Sequence, residues 1–175
     1  MMLATLLTAS LAAPAVAHAA TPSQPPATPG PFAVVYHEDS VIRATPGTIW
    51  NVIMDLPAYG AWNPWLPSAA GDMSPGGSVT VQVVLNGATQ TAYHTVVTVE
   101  PFTRFCWKDA GVTAYFVPAQ RCRTLKVLAN GDVKLENELF LDGILAWIGN
   151  LAYGGALKAG LAAETVALKQ RAESL

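Results

Sequence analysis

Residues 144–174 read ILAWIGNLAYGGALKAGLAAETVALKQRAES, and this stretch decides the fold. It predicts one long helix. Asp142 is placed to accept from the first free N–H groups, and Lys169 and Arg171 sit at the negative end of the helix dipole. At 100° per residue, Ile144, Trp147, Ile148, Leu151, Gly155, Ala159, Ala162 and Val166 form one apolar stripe, with Leu157, Leu161 and Leu168 on a neighbouring one. A helix apolar around most of its circumference needs something to wrap it. Only the strand-like segments upstream qualify, and a sheet curved around one helix makes a container.

Four glycines, Gly149, Gly154, Gly155 and Gly160, lie within the predicted helix. Each costs about 1 kcal/mol relative to alanine. They are read either as points of close backbone approach, with a kink at Gly154-Gly155, or as room left for a ligand beside the helix. The two readings are compatible.

The chain has 175 residues, enough for one domain with a real core. Hydrophobic residues make up 51% and charged residues 13%, which suggests extra interior surface, a membrane segment, or both. The formal charge of −2 and the lack of any Lys/Arg run argue against nucleic acid as a partner.

Residues 1–19 read as a cleaved signal peptide. Leu3 to Ala13 is a short apolar run and Ala17-His18-Ala19 fits the small-x-small cleavage rule. The run is shorter than the ~20 residues that span a bilayer. Cleavage after Ala19 predicts a periplasmic or secreted protein. Residues 20–31 hold five prolines and no apolar period, and are expected to be a disordered tether ahead of a domain over 32–175.

Phe32 to Ala44 reads as a strand. Thr45 and Pro46 start a helix as cap and first helical residue, Asp55-Leu56-Pro57 ends it, and a second short helix covers Ala58 to Trp62. Strands are expected at Ser78–Leu85, Gln90–Val99, Arg104–Asp109, Val117–Val127 and Val133–Leu141, with two-residue turns at Asn86-Gly87 and Asn130-Gly131. This order gives an α+β fold, an antiparallel meander with helices to one side.

Several segments carry a family resemblance: Ile42-Arg43-Ala44-Thr45-Pro46 leading into Ile49-Trp50, Asp55-Leu56-Pro57-Ala58-Tyr59, Trp62-Asn63-Pro64-Trp65, Glu100-Pro101 with Arg104-Phe105-Cys106-Trp107, and Asp142-Gly143. In this order, from about Val34 to Ala172, the chain resembles the START/Bet v 1-like (SRPBCC) superfamily, which includes polyketide cyclase/dehydrase-like and lipid-transport proteins. The resemblance implies a helix-grip fold, with a curved sheet wrapped around the C-terminal helix. It does not imply one activity, because that scaffold carries several, so function rests on the cavity.

The cavity is expected to draw on Val52, Leu56, Tyr59 and Trp62 from the short helices and Val81 and Val83 from the first hairpin strand. Further lining is expected from His94, Val96, Phe105, Trp107, Tyr115 and Asn137, and from Trp147, Leu151, Gly155 and Lys158 of the long helix. The Asn86-Gly87 turn pairs Val79 with His94, so a buried valine face points His94 inward, as a satisfied core histidine or as a ligand-orienting group or base. Phe105 and Trp107 are expected to share the inner face with Val96 and Thr98. Asn137 is a lone polar group in an apolar wall and must find a partner, for which a ligand or trapped water would serve. Lys158 either snorkels or holds an anionic head group at the mouth. The Asn130-Gly131 turn sets Arg123 opposite Glu138, most simply as a solvated outer pair; a one-residue bulge would turn Arg121 and Arg123 inward. A register centred on Ala114 opposes Cys106 and Cys122, which an exporting compartment would join as a disulfide. No metal or other cofactor is assigned.

Three functions compete. The first is an exported carrier of a hydrophobic small molecule such as a lipid, isoprenoid or polyketide. The second is an aromatase/cyclase-type enzyme with His94 or Tyr59, beside Tyr115 and Asn137, as the inner acid/base candidates. The third is a membrane anchor over Gly143 to Ala163, opposed by Asn150, Lys158 and the glycines, so no stable membrane insertion is expected.

Overall fold

The computed structural model describes residues 21–175; the expected signal peptide lies outside them. Seven strands form one antiparallel sheet: β1 (Val34–Ile42), β2 (Ser68–Gly71), β3 (Ser78–Leu85), β4 (Ala88–Glu100), β5 (Arg104–Asp109), β6 (Ala119–Val127) and β7 (Val133–Leu141). Their order across the sheet is β1-β7-β6-β5-β4-β3-β2. Helices α1 (Pro46–Met54) and α2 (Tyr59–Trp62), joined by a 3-10 turn at Leu56–Ala58, follow β1; α3 (Thr113–Phe116) lies between β5 and β6. The long helix α4 (Ala146–Glu173) packs on the inner face of the sheet. This is the expected α+β helix-grip architecture, with β2 and α3 in addition.

Local chemistry accounts for much of it. Thr45 Oγ1 accepts from Thr48 N at 3.1 Å, and Pro46 supplies the first helical residue of α1. Asn86 and Gly87 both have positive φ (50° and 77°), the turn that matches strand twist, and Leu85 pairs with Ala88. Cys106 and Cys122 face each other across β5 and β6 and are joined by a disulfide.

The structure departs from expectation at four places. Asp142 does not cap α4: Leu145 occupies the N-cap position, and the Asp142 carboxylate accepts from Gly143 N at 2.7 Å and Gly30 N at 3.1 Å. The connection between β6 and β7 is one residue longer than a two-residue Asn-Gly turn, with Val127 opposite Val133. Arg123 therefore pairs with Asn137 rather than Glu138. A one-residue shift exchanges the faces of a strand, so Arg121 and Arg123 point inward. An irregularity between Val96 and Thr98 places Thr98 on the outer face instead of beside Phe105 and Trp107.

The fourth departure is the proline-rich segment. It is not a free tether but lies over the outer face, opposite α4. Gln24 N donates to Val97 O at 2.9 Å and Thr98 Oγ1 to Gln24 O at 2.6 Å. The Gln120 side chain accepts from Ala27 N at 3.0 Å and donates to Ala27 O at 3.3 Å. Thr98 and Gln120 are buried polar groups on that face, and the segment supplies their partners.

Candidate functional site

The site is a two-part hollow between the sheet and α4. An inner chamber of about 120 Å³ is walled by Val81, Val83 and Leu85 of β3, His94 of β4, Trp107 and Asp109 of β5, Arg121 of β6 and Leu139 and Leu141 of β7. Trp65 and Leu66 close one side and Leu157 of α4 another. Period-two alternation explains the wall: each strand gives every second side chain to this face. A wider vestibule of about 370 Å³ continues outward, lined by Phe116, Val117, Gly149 and Tyr153. Leu85, Asp109, Leu141 and Leu157 border both parts.

His94 lies where the hairpin register sends it. Its side chain is 11% exposed, its ring stacks on Trp107 at 4.8 Å and 6°, and Nδ1 is 3.1 Å from Asp109 Oδ1 without hydrogen-bond alignment. Asp109 is part-exposed at the border of the vestibule.

Beneath the chamber is a charged network that the outer-pair expectation misses. The Glu164 carboxylate of α4, fully buried, receives Arg123 Nη2 on Oε1 at 2.5 Å, and Arg121 Nη2 lies against Oε2. Arg121 Nε donates to Asn137 Oδ1 at 3.1 Å; Asn137 Nδ2 donates to Thr165 Oγ1 at 2.9 Å, which donates to Leu161 O at 2.8 Å. Asn137 thus finds protein partners instead of a ligand or water. The guanidinium of Arg121 sits over Trp65 at 4.8 Å and that of Arg123 over Trp107 at 5.0 Å.

Burial alone would raise the Glu164 carboxyl, but the two guanidinia outweigh it and hold it below the usual range. Burial, then the like charge of Arg123, brings Arg121 down to about 10. Arg123 goes the other way: burial lowers it, and the Glu164 charge more than compensates. All three are therefore ionised at neutral pH. Burial pushes the Tyr59 phenol up, and its hydroxyl donates to Ile53 O at 2.7 Å, so it is a neutral core group.

The structure scatters the remaining candidates. Val81, Val83, His94 and Trp107 line the chamber. Val96 and Phe105 are core, as are Val52, Leu56 and Tyr59 beneath the sheet. Trp62 packs at the edge of that core, beside Val52 and Arg171. Tyr115 (86% exposed), Trp147 (62%) and Leu151 (80%) point to solvent, as do Gly155 and Lys158, so none of these five lines the chamber. The inward face of α4 is instead the one bearing Leu157, Leu161 and Leu168. Leu85, Ala92, Leu139 and Leu141 were reachable from sequence, since each shares a strand face with a residue that was named. Arg121 was hidden by the one-residue difference in register.

Among the described residues no helix is long and apolar enough to cross a membrane, and no group of three or more His, Cys, Asp or Glu side chains could hold a metal ion.

No protein-family model matches the sequence, and no curated protein matches it. Solved structures do. Zhui aromatase/cyclase from Streptomyces sp. R1128 superposes with a TM-score of 0.66 at 14% identity, over 81% of this chain and 94% of that one. A START superfamily protein from Mycobacterium smegmatis gives 0.57 at 18% identity, over 80% and 94%. Ara h 8.0201 gives 0.58 at 15% identity, over 82% and 99%. At such identities the likeness speaks for architecture, and the architecture is unambiguous: this chain has the START/Bet v 1-like helix-grip fold.

Proposed function

We propose that the protein binds a hydrophobic small molecule in the hollow between sheet and α4 and acts as a carrier for it. The observation that supports this best is the hollow itself: an apolar inner chamber opening into a vestibule of about 370 Å³, within the size range of small-molecule sites. Most of the lining is apolar, so the walls offer chiefly shape and apolar contact. The apolar run from Leu3 and the Ala17-His18-Ala19 site support export, and a disulfide suits that compartment.

Native mass spectrometry of protein purified from its own host tests the reading. A co-purifying lipid-like mass in the wild type, lost in Leu157→Trp, is the expected result, because Leu157 borders both parts of the hollow. Empty protein that also fails to take up apolar probes refutes it.

One observation favours a second reading, an aromatase/cyclase-type enzyme acting in the same hollow. His94 stands in the chamber wall with a carboxylate at 3.1 Å, a placement suited to proton transfer. Turnover abolished by His94→Ala, with ligand affinity retained, would favour the enzyme over the carrier.

A further inference from the structure

The buried network is not neutral. Two guanidinia, Arg121 and Arg123, share a single carboxylate, Glu164, leaving one positive charge in excess beneath an apolar chamber. Such an excess is unfavourable in a medium of low dielectric unless an anion meets it. Arg121 is the member that reaches the chamber, and it is 4% exposed. Its Nε is taken by Asn137, while its Nη2 lies against Glu164 Oε2 without hydrogen-bond alignment, so the guanidinium is not saturated by the described residues. Arg123 is buried below it.

We propose that the inner chamber receives the carboxylate of an amphiphilic monocarboxylic acid, held by Arg121, with the apolar tail running out along the vestibule. This rests on the binding reading above and names the ligand class for the same hollow. A guanidinium suits the task because its planar fork matches a carboxylate and stays charged in a dry site. The other charged groups facing the chamber are few. Asp109 lies two residues beyond Trp107, the strand neighbour of Arg121, towards the vestibule, where water screens it and His94 adjoins it. The chamber is therefore positive at its floor and acidic towards its mouth, which orients an acid with its head inward. Lys158, the sequence candidate for an anionic head group, is on the outside of α4 and takes no part.

Calorimetric titration with sodium octanoate and with 1-octanol tests this. A second pair, 2-naphthoate and 2-naphthol, separates an aliphatic from an aromatic acid. In at least one pair the acid should bind about tenfold or more tighter than the alcohol. The ratio should fall to about one in Arg121→Met, a change that leaves Arg123 and Glu164 matched one to one. Equal affinities in the wild type, or a preference unchanged in Arg121→Met, overturn the proposal but not the binding reading. Failure of every probe to bind overturns both. Should Arg121→Met not fold, wild-type protein with carboxyl-¹³C octanoate decides. A bound carboxyl that stays ionised well below pH ~4.3 supports the guanidinium contact, and one that titrates at its ordinary value refutes it.

Discussion

Glu164→Gln should be among the most damaging single substitutions in the protein. The side chain keeps its shape, but two buried guanidinia lose the one carboxylate that meets them among the described residues. Removing one partner of a buried ion pair typically costs about 3–5 kcal/mol, a large part of the ~5–15 kcal/mol that holds a domain together. For a chain of this length the midpoint of thermal unfolding should drop by about 6–20 °C. Urea unfolding of the oxidised protein at neutral pH measures the loss. The triple change Arg121→Met, Arg123→Met, Glu164→Leu removes all three charges together and should be far milder than Glu164→Gln alone. The pH dependence has a definite sign. Glu164 in the folded protein lies below its ordinary value of 4.5, so the stability it contributes is present above pH 4.5 and is lost as pH falls through that value and beneath it. The wild-type advantage over Glu164→Gln should shrink across that acid window. A loss under about 1 kcal/mol at pH 7, or an advantage constant down to acid pH, would refute a carboxylate held ionised in the core.

Three other outcomes test the bridge and the packing of α4. Reducing the Cys106–Cys122 bridge, which closes a separation of 16 residues, should cost about 3 kcal/mol in urea unfolding, and intact mass should show no free thiols before reduction. Gly160→Ala should destabilise by about 1–3 kcal/mol, because its Cβ would come within 2.3–2.4 Å of the Trp65 indole at the chamber wall. Gly155→Ala, five residues earlier with nothing within 4 Å, should instead stabilise by up to about 1 kcal/mol, and thermal melts of the pair should move in opposite directions.

Strand pairing was legible in the sequence wherever one tight turn fixed it. Asn86-Gly87 set the register of β3 against β4 and with it the inward side of His94. Symmetry about Ala114 brought Cys106 opposite Cys122 even though that loop carries a short helix. Asn130-Gly131 misled, because Leu128 N donates to Asp132 O and Gly131 N to Leu128 O, closing a three-residue loop over 129–131 in place of a two-residue turn. That single extra residue reversed the faces of Arg121 and Arg123 and hid the polar floor of the site. The proline-rich segment misled for another reason. Its own composition offers no core, and its order comes from Thr98 and Gln120, which lie some seventy to ninety residues further along the chain.

The buried face of α4 is the most instructive miss. The more apolar stripe, with Ile144, Trp147 and Leu151, is left outside, and the inward face lies roughly 140° away around the helix at 100° per residue. Apolar period ranks faces by the area they could remove from water, and that gain needs dense matter on the other side. The first half of α4 lies over the vestibule, where Gly149, Tyr153 and Leu157 border a hollow instead of dense core. Two demands choose the rotation instead. Glu164 must reach the arginines of β6, since turning it outward would leave two charges buried without a partner. The helix must also come close to its neighbours, and glycines let it. A Cβ at Gly149 would stand 3.3 Å from Val117, one at Gly154 3.0 Å from the Tyr36 hydroxyl, and one at Gly160 would enter the ring of Trp65. Close approach is therefore the better reading of those three glycines, and it is also what brings α4 near enough to roof the chamber. One carboxylate and three missing side chains outweigh a run of large apolar ones, because charge and contact distance are decided locally while hydrophobic area is not.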